Sequence, residues 1–115
     1  MTLELFAGLA VSDIDAARAW YARLLGTGPS FEPHEREAVW TLAEARHVYV
    51  EERPDRAGSG QVTLFVDDLD AWVDAVTARG VEPATRETYG NGVRKVTYRD
   101  PDGNEVGIGG AAEDA

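Results

Sequence analysis

A segment that opens Val11-Ser-Asp-Ile-Asp and runs through an Ala-, Arg- and aromatic-containing stretch to Leu25-Gly26 returns in outline as Val66-Asp-Asp-Leu-Asp through Arg79-Gly80. Each copy leads from a β-rich apolar stretch through an Asp-x-Asp helix start to a glycine and then a proline, Pro29 or Pro83. The two copies divide a chain of 115 residues about in half. A unit that short cannot bury its own apolar face, so the repeat predicts two similar βα units sharing one core. A duplicated unit also puts a cleft at a predictable place.

Around these landmarks the pattern reads as βαβββ followed by βαβββ. Thr2 to Val11 is predicted as a strand with Leu3, Leu5, Ala7, Leu9 and Val11 facing helices and Glu4, Phe6, Gly8 and Ala10 on the other side. Ser12 or Asp13 can cap the helix that follows, whose stripe is Ile14, Ala17, Trp20/Tyr21 and Leu24 and which Gly26 ends. Thr27 to Arg36 is turn-rich, with Phe31 its apolar anchor. Ala38 to Leu42 and His47 to Glu52 read as strands, the second placing Val48 and Val50 in the core and His47, Tyr49 and Glu51 on the opposite face. Arg53 to Gly60 links the copies.

In the second copy, Gln61 to Val66 directs Val62, Leu64 and Val66 to the helix side and Gln61, Thr63 and Phe65 away from it. Asp68 caps a helix with the stripe Leu69, Trp72/Val73 and Val76. Ala84 to Thr88 and Val93 to Arg99 flank a Tyr89-Gly-Asn-Gly92 turn, and Asp100-Pro-Asp-Gly-Asn104 is a strong tight-turn signal before a last strand, Glu105 to Gly109. The expected organisation is one α+β domain over residues 1–110, with repeats over about 1–53 and 60–110 and a frayed tail at 111–115.

Charge narrows the partners. A formal net charge of −10 repels phosphate backbones and anionic membranes, so nucleic acid and membrane are not expected partners, while a neutral or cationic small molecule is. Cysteine is absent, which excludes thiolate nucleophiles and Cys-ligated metals. Neither a basic-then-apolar leader nor a stretch of 18 apolar residues occurs, and the cytoplasm is the expected location.

The residues Val11-x-Asp13-Ile14, Tyr21, Leu25-Gly26, Val66-x-Asp68-Leu69 and Asp100-Pro-Asp-Gly-Asn104 together resemble the vicinal oxygen chelate superfamily, which includes glyoxalases, bleomycin-resistance proteins and extradiol dioxygenases. The resemblance covers essentially the whole chain. It implies tandem βαβββ modules, each curling a sheet around a cleft, often closed by a second subunit; a homodimer is therefore expected. It also implies that metal-dependent members carry His, Gln or Glu on the first, fifth and last strands. Those positions fall here on Phe6, Gln61 and Gly107. Phe6 has no lone pair to donate and Gly107 has no side chain, so neither metal nor cofactor is expected.

The expected ligand surface comprises Phe6, Trp40, His47, Tyr49, Glu51, Gln61, Phe65 and Gly107, with no catalytic residue assigned. Trp40 and Tyr49 could stack on a planar ligand, and Phe6 would put an apolar wall where a metal donor stands in relatives. His34, in a Pro/Glu-rich loop, is expected to be a surface residue. The preferred function is non-catalytic binding of an aromatic drug or metabolite, of the bleomycin-resistance type, a cation being the charge easiest to attract. The rival is an enzyme: a glyoxalase-like lyase or dioxygenase with substitute ligands around Gln61, His47 and Glu51, or a metal-free isomerase with His47 or Glu51 as base. A ferredoxin-like regulatory module would have only four strands, too few for this pattern.

Overall fold

A computed structural model of the chain describes residues 1–112; of the expected tail, 113–115 lie outside the described residues. The first unit consists of β1 (Leu5–Val11), α1 (Ile14–Leu25), β2 (Phe31–His34), β3 (Glu37–Ala43) and β4 (Arg46–Glu52). A short 3-10 turn at Pro54–Arg56 leads to the second unit: β5 (Gln61–Val66), α2 (Leu69–Ala78), β6 (Thr85–Thr88), β7 (Arg94–Arg99) and β8 (Glu105–Gly110). The sheets are four-stranded with the same order, β1-β4-β3-β2 and β5-β8-β7-β6. In each, the first strand pairs in parallel with the last and the other pairings are antiparallel. The repeat read in the sequence is a repeat of topology.

Local chemistry sets the helices. Asp13 sits in extended backbone and its carboxylate accepts from the amides of Asp15 and Ala16, satisfying donors that the first turn leaves unpaired. Gly26 takes the left-handed conformation at φ 84 and its N–H closes on Ala22 O, which ends α1. Asp68 caps α2 through the amide of Ala71. Leu24 and Val76 are wholly buried, each burial stabilising by about 1.5–3 kcal/mol. Both helix stripes enter one apolar cluster with Leu9, Val11, Val50, Val106 and Ile108, so the units share a core.

The Asp100–Asn104 turn locks the two units together. Asp100 is buried; its Oδ1 accepts from the amides of Asp102 and Asn104, and its Oδ2 accepts from the Tyr21 hydroxyl and from Asn104 Nδ2. Asn104, fully buried, also donates to Ala10 O at 2.7 Å and accepts from Gly60 N at 2.8 Å. Asp102 receives hydrogen bonds from the backbone and hydroxyl of Ser12. A motif read locally as a turn is thus a buried polar node whose partners lie in β1, α1 and the link between units.

Three expectations change. The first strand starts at Leu5 rather than Thr2, and Leu3 and Leu5 remain exposed because none of the described residues covers that end of the sheet. The turn-rich Thr27–Arg36 segment holds a real strand, β2, which pairs as Phe31 with Val39 and His34 with Glu37. Its Pro33 is tolerable because β2 is the sheet edge. Trp40 is core, not ligand surface: it is 1 % exposed, packs on the helix side against Tyr21, and donates its indole N–H to Thr27 O. The register explains why, since Trp40 pairs with the buried Val48 whereas its neighbours Val39 and Thr41 pair with Tyr49 and His47.

Candidate functional site: two open sheet faces

Strand pairing aligns the side chains on the face of the first sheet turned away from the helices into three rows. Phe6, His47 and Thr41 form the first; Gly8, Tyr49, Val39 and Phe31 the second; Ala10, Glu51, Glu37 and His34 the third. Phe6 lies flat on the His47 imidazole, with ring centroids 4.2 Å apart and planes 16° from parallel, while Phe31 meets the same imidazole edge-on at 6.4 Å. His47 Nε2 is 2.8 Å from Glu4 Oε2 and its Nδ1 is 2.9 Å from Thr41 Oγ1. A carboxylate only accepts, so Nε2 carries a proton, while Nδ1 accepts from the Thr41 hydroxyl in the neutral ring and donates to it in the imidazolium. With both ring nitrogens hydrogen-bonded and a ring face covered, His47 has no free basic nitrogen for a substrate.

Tyr49 folds over Gly8, where a Cβ would overlap the phenol ring. This glycine is what allows the aromatic row to lie flat. Phe6 and Phe31 remain 46 % and 45 % exposed, an unusual state for two phenylalanines side by side on a sheet.

In the third row, His34 Nε2 lies 3.2 Å from Glu37 Oε1 and 3.6 Å from Glu51 Oε2. These three are the group whose potential ligand atoms converge among the described residues, within 4.8 Å of one another. His34 Nδ1 accepts from the Arg36 amide, which leaves the proton on Nε2, directed at the carboxylates. That nitrogen is a donor to its neighbours, not a lone pair for a metal. His34, expected only as a loop residue, is therefore a strand residue tied to Glu51; the signal that could have found it is its pairing with Glu37 across the β2–β3 turn.

The second sheet presents a different face. Its rows are Gln61, Glu105 and Arg99; Thr63, Gly107, Thr97 and Thr85; Phe65, Gly109, Lys95 and Glu87. Phe65 is 66 % exposed and lies over Gly109. Glu105 pairs with Arg99 at 3.1 Å. Lys95, which the sequence reading did not single out, leans over Gly107: a Cβ there would be 2.5 Å from Lys95 Cε and 3.3 Å from its Nζ. A cavity of about 520 Å³ lies elsewhere, on the helix side where the sheets meet, between Leu25 and Trp72 and walled by Ala7, Val48, Leu64 and Val66. His47 and Phe65 reach it from the open faces.

Of the predicted surface, Phe6, His47, Tyr49 and Glu51 come together on the first sheet and Gln61, Phe65 and Gly107 on the second; Trp40 joins neither. The positions at which metal-dependent relatives hold an ion do not fit one here. A phenyl ring stands at Phe6, and the Lys95 side chain reaches over Gly107 with a positively charged ammonium, which repels a divalent cation.

Two four-stranded mixed sheets of βαβββ topology with a buried turn node define a glyoxalase-type fold. A family model described as the Glyoxalase/Bleomycin resistance protein/Dioxygenase superfamily matches residues 5–108, and the chain belongs to that superfamily. Among solved structures it is similar to a glyoxalase / bleomycin resistance protein from Catenulispora acidiphila DSM 44928, at 57 % identity and TM-score 0.93, covering 96 % of this chain and 99 % of that one. A bleomycin-binding protein complexed with bleomycin shares the fold at 21 % identity and TM-score 0.77, covering 96 % of this chain and 99 % of that one. A lactoylglutathione lyase from Agrobacterium tumefaciens does so at 21 % and 0.77, covering 96 % and 95 %. No protein of curated function gives a match.

Proposed function

We propose that the protein binds a small aromatic molecule without transforming it, using the open face of the first sheet. The observation that carries this reading is the flat Phe6–His47 pair, flanked by Phe31, at a position where metal-dependent relatives carry a metal donor. An aromatic ligand laid on this face gains about 25 cal/mol per Å² of apolar surface removed from water, with ring stacking in addition. Glu4, Glu37 and Glu51 border the face and favour a cation at its rim. Similarity to a bleomycin-binding protein supports binding of this kind.

The exposed Phe6, Phe31 and Phe65 also favour a homodimer in which a second copy covers these faces and completes the cleft. Light scattering reads this directly, and a monomer at micromolar concentration refutes it.

All three tryptophans lie on the helix side, so calorimetry is a better reporter of binding than their fluorescence. Titration with an acridinium-type dye is expected to show saturable binding that weakens with salt and falls at least about tenfold in Phe6→Ala, from the area lost. An unchanged affinity in Phe6→Ala overturns the reading. The enzymatic alternative loses its base at His47, whose Nδ1 is occupied by Thr41.

A further inference from the structure

The second sheet carries a separate recognition element. In β8, Gly107 and Gly109 have no side chains, and they form a trough into which the flanking strands fold: Phe65 from β5 over Gly109, and Lys95 from β7 over Gly107. Lys95 belongs by register to the Gly109 row, yet its chain leans back one row, so that its ammonium hangs above Gly107 close to where Thr63 Oγ1 also reaches. Both atoms are 3.3 Å from the position a Cβ on Gly107 would take. Gln61, Thr97 and Glu105 complete the polar lining of a small depression of about 90 Å³.

Glu105 is engaged with Arg99 at 3.1 Å, and Glu87 stands opposite Lys95 in the β6–β7 register. Among the described residues, Lys95 has no carboxylate within ion-pair distance. A half-buried lysine whose ammonium lies beside hydroxyl and amide donors, with no carboxylate within ion-pair distance, can accept a negatively charged oxygen from a ligand.

We infer that the Lys95–Thr63–Gln61 depression over Gly107 is an oxyanion site, which receives the carboxylate or phenolate oxygen of a small molecule whose apolar part lies on Phe65. The Lys95 ammonium places a monovalent cation over Gly107. It attracts an oxygen anion but has no open coordination positions, so it can anchor a ligand without polarising it as a metal would. The site stands on the second sheet alone and does not depend on the aromatic face of the first.

The test is a titration of the intact protein, followed by amide NMR, with benzoate, neutral benzamide and cationic benzamidine. Benzoate is expected to shift the amides of Thr63, Lys95 and Gly107 and to bind about tenfold more tightly than benzamide, the gain of one charge-assisted hydrogen bond. Lys95→Met should abolish the preference while leaving the rest of the spectrum in place, and Lys95→Arg should retain part of it. Gly107→Ala keeps the charge but puts a methyl group where the Lys95 chain lies, and should weaken benzoate selectively. Equal binding of benzoate and benzamide, a preference that survives Lys95→Met, or benzoate shifts that miss these amides at tens of millimolar each overturn the proposal. Binding of benzamide and benzamidine at Phe6 and His47 reports on the first sheet, so failure there is distinguishable from failure here.

Discussion

The hydroxyl of Tyr21, in the first helix, donates a 2.8 Å hydrogen bond to Oδ2 of Asp100, a residue 79 positions further along the chain. Both groups are buried, and the bond crosses from one repeat to the other. Tyr21→Phe leaves the ring packed but deprives a buried carboxylate of a donor, and is expected to cost about 1–3 kcal/mol in urea unfolding.

The same bond sets the response to alkali. Burial pushes the Tyr21 phenol well above its ordinary value of 10.0, and the nearby charge and hydrogen bond of Asp100 add to the shift. The unfolded chain releases this proton near the ordinary value, the folded chain only at higher pH. The resulting stability is therefore complete below about pH 10 and is lost as pH rises from there toward the folded-state value. Melting temperatures measured from neutral to strongly alkaline pH should fall less steeply in Tyr21→Phe than in the parent.

Tyr98 predicts the opposite sign. It is also fully buried, but its hydroxyl has no hydrogen-bond partner among the described residues. Burial is again the main cause of its raised pKa. Tyr98→Phe removes an unsatisfied polar atom while keeping the ring, and is expected to be neutral or to stabilise by about 1 kcal/mol in the same unfolding assay.

Asn104 holds three parts of the fold at once, through Ala10 O, Gly60 N and Asp100. Asn104→Ala strands a buried carbonyl and a backbone amide together and leaves a cavity. The expected loss is about 2–5 kcal/mol, read as a lower denaturation midpoint at unchanged slope.

Gly8→Ala tests the aromatic face without touching its aromatic groups. The new methyl group would overlap the Tyr49 ring and force it up from the sheet. Stability is expected to fall by about 1–3 kcal/mol, with weaker binding of aromatic ligands by calorimetry. Unaltered binding would show that the orientation of Tyr49 is irrelevant to the site.

Divalent metals give a further check. With a phenyl ring at Phe6 and an ammonium over Gly107, added Mn, Ni or Zn should leave the melting temperature of the parent protein unchanged, because a ligand stabilises only the state it binds. A rise that saturates with metal would contradict the misfit described at these positions.

Much of the architecture could be read before any coordinates, because helix caps, stripes and turns are local. Asp13, Asp68 and Gly26 mark helix ends through bonds within a few residues of themselves, and the alternation of Val48 and Val50 with His47, Tyr49 and Glu51 assigns faces by the period of a strand. The repeat calls for a strand between α1 and β3, but the place of β2 was not legible, since its Pro- and Glu-rich residues have little strand preference and only pairing with β3 makes it a strand. Trp40 was misassigned for a related reason: an aromatic residue suits either face, and only the register with β4 decides. Lys95 gave no signal, because a lysine on a strand ordinarily points to water.

The sequence by itself determined the duplicated topology, the capped helices and the absence of donors at Phe6 and Gly107, all of which follow from residue type and short-range spacing. Tertiary structure alone decided that Asp100 and Asn104 form a buried node rather than a mere turn, that His47 lies occupied between Phe6 and Thr41, and that the Lys95 ammonium reaches over Gly107. Those outcomes depend on groups far apart in the chain meeting where water is excluded, and no local pattern encodes which partner arrives.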